Sequence, residues 1–267
     1  MTGIIRNPPC PPRIHGSCYG FVLSHSKRDR TCRLSSSLLL AGTLLLCPHF
    51  LTAEEKVLLN AETFPLWEDQ QFAAPTRYTL IKDHGYTVVR ADSRRSASGK
   101  ILKTPVDLTA TPYVHWRWRV TKIYPGIDEQ TRDGDDFPAR LYLIARHPWK
   151  FWKTRAINYV WASNQPVNTV WRNPYTPNSR LIAVASGSEH LNRWQYYRRN
   201  AREDFLRIFG EQINTIDAVA IMTDTDNTGA EATTYYGEII FSSEPLLMDK
   251  NRADFEQGIE YDGGTAD

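Results

Sequence analysis

The sequence predicts an all-β fold: an antiparallel β-sandwich of jelly-roll type with one short helix. Three observations predict it. Beyond residue 57, short runs alternate apolar and polar residues with period two. Pro, Gly, Asn and Asp break those runs at regular spacing. One stretch alone combines helical periodicity with capping residues at both ends. Many short strands and a single helix are the pattern of two packed sheets.

The segment before the sandwich has a different character. Lys27, Arg28, Arg30 and Arg33 precede the apolar run Leu34–Thr52. The apolar centre of that run, Leu38–Leu40 and Leu44–Leu46, is shorter than the ~20 residues of a spanning helix. The run closes on the small residue Ala53, and Glu54-Glu55-Lys56 turns polar. Residues 1–53 therefore read as a signal peptide with an over-long n-region. They are followed by a single β-sandwich domain over 54–248 and a polar, flexible tail over 249–267. The expected location is periplasmic or secreted, with no transmembrane span after cleavage. A lipoprotein reading would acylate Cys47, but Leu46 stands where such a site wants a small residue.

Cleavage changes the composition. Cys10, Cys18, Cys32 and Cys47 all lie in the leader, so the exported domain has no thiol, disulfide or Cys-ligated metal. The leader also carries six basic residues and one acid, which leaves 26 basic and 29 acidic residues, a net charge of −3. No nucleic-acid partner follows from that balance.

The elements follow in order. Tyr78–Lys82 and Tyr86–Arg90 flank Asp83-His84-Gly85 as an early hairpin. In Tyr113–Val120, Val114, Trp116, Trp118 and Val120 share an inward face. Leu141 and Leu143 oppose Arg140 and Tyr142, and Ile157, Tyr159 and Trp161 share a face of the next strand. Asn200 with Glu203 marks a helix start, Phe205, Ile208 and Phe209 its apolar face, and Gly210 its stop. Ala218–Ile221 is apolar on both faces and suits a central strand. Tyr235, Ile239 and Phe241 close the domain.

Four groups of residues are candidates for chemistry. Asp135 and Asp136 sit where a loop enters a strand, Arg140 follows four residues after Asp136, and in an extended chain Asp136 and Arg140 share a face. They form either a polar ligand clamp or a structural ion pair. His115, Arg117 and Arg119 line one face of a strand with Tyr113 and would offer aromatic surface and donors to a sugar; a solvated outer face gives the same alternation, and Trp161 is a separate ligand-binding candidate. Trp149, Phe151 and Trp152, interleaved with Lys150 and Lys153, form a loop suited to a membrane interface, a glycan or a protein partner, unless it folds back over its rings. Asp224 and Asp226 open a loop with alternating oxygens before Gly229, as a calcium site would. Position twelve is Tyr235 rather than Glu, so the expectation is a structural turn with at most weak calcium and no other cofactor.

Taken as an ordered set, four segments resemble a known family: Gly134-Asp135-Asp136-Phe137-Pro138-Ala139-Arg140-Leu141-Tyr142, Asn158-Tyr159-Val160-Trp161-Ala162, Ala201-Arg202-Glu203-Asp204-Phe205 leading to Phe209-Gly210, and Ile221–Thr228, with Trp116 and Trp118 upstream. The set is similar to an uncharacterised bacterial family, domain of unknown function number 3047. The resemblance implies an exported or periplasmic bacterial domain without an established activity. The layout is also similar to jelly-roll carbohydrate-binding modules, in which a sugar lies on a concave sheet face. No nucleophile elbow, phosphate-binding Gly loop or His-Glu-x-x-His is present. The expected function is an exported non-catalytic binding domain for a carbohydrate or other cell-envelope component. The alternatives are a carbohydrate-active hydrolase using a carboxylate pair and a structural envelope domain that docks a protein partner.

Overall fold

A computed structural model describes residues 54–246 apart from 148 and 150; the predicted signal peptide, Cys47 and the predicted tail lie outside the described residues. The strands are β1 (Glu55–Leu59), β2 (Glu68–Gln71), β3 (Arg77–Asp83), β4 (Tyr86–Arg94), β5 (Ala97–Leu102), β6 (Val106–Asp107), β7 (Tyr113–Val120), β8 (Arg140–Ala145), β9 (Arg155–Ala162), β10 (Val170–Arg172), β11 (Ser179–Ser186), β12 (Gln195–Asn200), β13 (Thr215–Ile216), β14 (Ala218–Asp224) and β15 (Glu231–Ser242). Helix α1 spans Ala201–Phe209. The first sheet runs β12-β7-β15-β4-β3, with β1 also on β15. The second runs β10-β11-β9-β8-β14-β5-β2, and β13 pairs β6 separately. Pairing is antiparallel except between β9 and β11, where β10 lies on the connection between them.

Period two decides what each sheet buries. Val114, Trp116, Trp118 and Val120 of β7 meet Leu141, Leu143, Ile157, Tyr159, Val219 and Ile221 of the second sheet in one core. Trp116 stacks on Tyr159 across the sheets, with centroids 5.1 Å apart, and on Tyr197 beside it at 5.3 Å. Trp161 belongs to this core and is fully buried. The early hairpin forms between β3 and β4, and its turn residues His84 and Gly85 both have positive φ, as a tight hairpin requires.

One facing differs from simple alternation. On β15, Tyr236 opposes Trp118 but Ile239 opposes Trp116, so β15 uses three residues where β7 uses two. This bulge shifts the phase of the strand. Ile239 and Phe241 face the core, whereas Tyr235 faces outward over Arg119.

Helix α1 starts where the sequence predicts it. The Asn200 side chain accepts from the Glu203 amide at 3.1 Å, and Gly210 ends the helix at φ 66°. Phe205 is buried in the core. Asp204 ties the helix to the sandwich: it accepts from Arg199 Nη2 at 2.6 Å, Arg207 Nη2 at 2.9 Å and the Tyr159 hydroxyl at 2.9 Å. Burial raises its pKa, but the hydrogen bonds from Arg199 and Arg207 outweigh burial and hold it below the ordinary carboxylate value. A depressed folded-state pKa stabilises above the unfolded value and loses that contribution as pH falls through the folded one. Asp204→Asn is thus expected to cost about 2 kcal/mol at pH 7. In urea titrations the gap to wild type should narrow below about pH 4. A gap that widens in acid would assign Asp204 the opposite role.

Candidate functional site

The outer face of the second sheet carries a groove of about 550 Å³. Its floor follows from strand register. Arg140 on β8 sits directly across from Met222 on β14, and Asp224, two residues further along β14, shares that outward face. Tyr142 and Ile144 continue the face along β8, and Ala156 and Ser179 extend it across β9 and β11. Three loops build the walls. Residues 134–139 bring Asp135, residues 173–178 bring Asn173, Tyr175 and Thr176, and residues 225–230 bring Asp226 and Asn227. Phe72 stands at the β2 end and, like Tyr175, is largely exposed.

Arg140 organises the floor while only 2% exposed. Its Nε donates to Asp224 Oδ1 at 3.0 Å, its Nη2 lies 2.7 Å from Asp224 Oδ2 and 3.4 Å from Asp135 Oδ2, and its Nη1 donates to the Tyr142 hydroxyl at 2.8 Å. Nη2 also donates to the Asp135 carbonyl. The guanidinium lies 4.4 Å from the centre of the Phe137 ring. One cation thus fixes a loop and two strands.

Negative charge is in excess here. Burial pushes the Asp135 carboxyl up, against the pull of Arg140. Burial also pushes Asp224 well up, opposed by Arg140 and reinforced by Asp135 and Asp136. Asp226 is raised by burial and then by Asp136. Burial takes the Tyr142 hydroxyl up to about 12, so it stays a donor at neutral pH. Two buried polar atoms of the lining have no hydrogen-bond partner among the described residues: Asp135 Oδ1 and Ser179 Oγ. Both amide atoms of Asn158 share that condition; Asn158 is the cross-strand partner of Tyr142. Unpaired buried polar groups are costly, and these lie in or beneath the groove floor.

A family model described as "Protein of unknown function (DUF3047)" matches residues 65–240. The chain belongs to that family. No curated protein matches it. Among solved structures it is similar to a family 30 carbohydrate-binding module of a cellulosomal cellulase from Clostridium thermocellum, at 8% identity and a TM-score of 0.45, covering 72% of this chain and 99% of that one. A cellulose-induced protein, Cip1, matches at 8% identity and 0.39 over 68% and 92% of the two chains. The xyloglucanase domain of NopAA from Sinorhizobium fredii matches at 10% identity and 0.36 over 66% and 92%.

Of the residues that sequence reasoning singled out, Asp135, Arg140, Asp224 and Asp226 meet at the groove. Asp136 stands behind it: its carboxylate accepts from the amides of Asn227 at 3.3 Å and Thr228 at 2.6 Å, so it anchors the 224–229 loop and is not the partner of Arg140. Residues 135–139 precede β8 and are not part of a strand, so the period-two rule behind spacing four does not apply there. Trp161 is corrected outright. Its ring fills the core and its Nε1 donates to the Gly187 carbonyl at 3.0 Å.

Arg117 and Arg119 are also corrected. They lie on the outer face of the first sheet, on the other side of the sandwich from the groove. That face is not solvated. Arg117 is buried between the rings of Tyr86 at 4.9 Å and Trp194 at 5.2 Å. Arg119 lies 4.0 Å from the Tyr235 centroid and donates to both carboxylate oxygens of Asp83. His115 sits between the hydroxyls of Ser242 and Tyr196. Alternation identified the face, and long aromatic side chains from β4, β15 and the chain before β12 cover it.

Trp149 is 88% and Trp152 55% exposed, so the loop holds those two rings outward; the Phe151 side chain lies outside the described residues. Sequence reasoning missed Phe72, Asn173, Tyr175, Ser179, Met222 and Asn227. One signal was available: Tyr175 stands between Pro174 and Pro177, where a large ring in a turn has little chance of burial.

Proposed function

We propose that this protein is an exported, non-catalytic binding domain for a carbohydrate or other cell-envelope component, and that the groove on the second sheet holds the ligand. The observation that carries the reading is the lining itself: the exposed rings of Phe72 and Tyr175 flank Asp135, Asp226, Asn173, Asn227 and Ser179. A sugar presents an apolar face to such rings and hydroxyls that both donate and accept to such polar groups. The hydrolase alternative is less well supported. A glycosidase sets two carboxylates on opposite sides of a bond, about 5–9 Å apart. Asp135 and Asp224 instead converge on one nitrogen of Arg140. The exposed Trp149 and Trp152 favour a second reading, docking of a protein partner through that loop.

A glycan array with the purified protein tests the first reading. Tyr175→Ala and Phe72→Ala should each weaken binding of any glycan found by roughly fivefold, about 1 kcal/mol. Because both rings are exposed, the fold should survive. Binding untouched by either change, or release of reducing ends from the glycan, would reject the proposal.

Calcium has a minor place in this reading. Asp136, Asp224 and Asp226 each offer an oxygen within 4.8 Å of the others. Asp136 is already capped by two amides and Asp224 by Arg140, which leaves Asp226 the freest ligand. Binding is expected around 10⁻⁴ M or weaker. Millimolar calcium should then add no more than about 1.5 kcal/mol of stability. Thermal melts with calcium and with chelator check this; a large rise abolished by Asp224→Asn with Asp226→Asn would establish a strong site.

A further inference from the structure

A second cavity, about 430 Å³, opens at the edge of the second sheet between β10, β11 and the end of α1. It is lined by Val170, Trp171, Arg172, Arg180, Arg207 and Ile208. Arg172 and Arg180 are direct cross-strand partners, an arrangement that sets like charges opposite each other. Arg155 joins them: Arg155 and Arg180 both lie over the Phe209 ring, at 5.5 and 5.3 Å.

The carboxylates nearby do not balance these charges. Glu211 pairs with Arg155, and Asp204 is shared by Arg199 and Arg207. Among the described residues no carboxylate pairs with Arg172 or Arg180. Among the described residues the Arg180 guanidinium donates to the carbonyls of Pro177 at 2.6 Å and Ser179 at 3.0 Å. Its pKa is pushed down by burial and by the repulsion of Arg172 and Arg155. Three arginines thus line a concave site, with Arg155 beside them over the same ring, and the carboxylates nearby are already taken by Arg155, Arg199 and Arg207, in a domain whose expected net charge is −3. Repulsion of this kind is relieved by an anion.

We propose that this cavity binds a tetrahedral oxyanion, a phosphate or sulfate group. A carboxylate is satisfied by one bidentate guanidinium, whereas a tetrahedral oxyanion takes donors from several directions. Arg172, Arg180 and Arg207 approach the cavity from two strands and a helix. The site is independent of the groove, because Arg180 and the groove residue Ser179 are neighbours on β11 and project from opposite faces of the sheet.

Isothermal titration with inorganic phosphate, at ionic strength matched with chloride, tests the proposal. Wild type should bind phosphate, and Arg172→Gln and Arg180→Gln should each weaken binding by at least about tenfold. Without phosphate both variants should melt at or above wild type, because each removes a like-charge contact; that separates a lost site from a lost fold. A phosphate monoester that binds as well as the free ion marks a ligand-borne group, and one that is excluded marks free phosphate. Equal phosphate binding by wild type and both variants, no binding at 10 mM or so, or glucuronate binding as tightly as phosphate would overturn the assignment.

Discussion

Arg140→Met is expected to destabilise the protein by about 3–5 kcal/mol, with a larger loss at pH 8 than at pH 5. The substitution leaves Asp224 and Asp135, both buried, without the guanidinium that touches them. Their folded-state pKa values already lie above the unfolded ones because of burial, and removing Arg140 raises them further. A raised carboxyl pKa means that the folded state binds the proton more readily. Stability therefore falls as pH rises from the unfolded value, about 3.9, toward the folded one. Urea unfolding at the two pH values measures both the loss and its sign. Adding Asp224→Asn should recover part of the stability, since no charge then remains buried on β14. A loss below about 1 kcal/mol, or a larger loss in acid, would mean that Arg140 does not hold these carboxylates as ions.

Trp116→Ala should cost about 3–5 kcal/mol, the usual range for deleting a buried large aromatic. Trp116 is 2% exposed and is enclosed by Tyr159, Tyr197 and Trp118. Among the described residues its Nε1 has no hydrogen-bond partner, so the loss is one of packing. The smaller substitution Trp116→Phe should keep most of the stability, because it retains the stacked ring and leaves less void. A loss under about 1 kcal/mol for the alanine variant in urea would show that the inward face of β7 has been assigned backwards.

Family membership and the β-sandwich make these two side chains informative beyond their own sites. Trp116 reports on the core that joins the sheets, and Arg140 on the outer face where the groove lies. If the glycan reading is right, Arg140→Met should also loosen the groove, since Asp135 is held in its wall through this residue.

Much of the architecture was written locally in the chain. Trp116 and Trp118 face inward because side chains alternate across a strand, and that needs only period two. Asn200 and Gly210 bound the helix because orphan amides need a side-chain oxygen and a left-handed stop needs glycine. The 224–229 loop was legible as a turn for a similar reason, although its anchor, Asp136, was not. Tertiary structure decided the rest. Arg140 meets Asp224 across 84 residues of sequence, and only the pairing of β8 with β14 brings them together. The bulge in β15 put Ile239 on the core face and left Tyr235 outside, and aromatic rings from distant segments closed the face that carries Arg117 and Arg119. Which face of a sheet stays open is set by what other segments lay over it. The sequence by itself determined β3, β4, β7, β8, β9, β14 and β15, the helix and the inward face of β7, because those depend on the backbone's own periodicity. The groove, its paired charges and the arginine cavity depend on strand order and register, which local patterns do not encode.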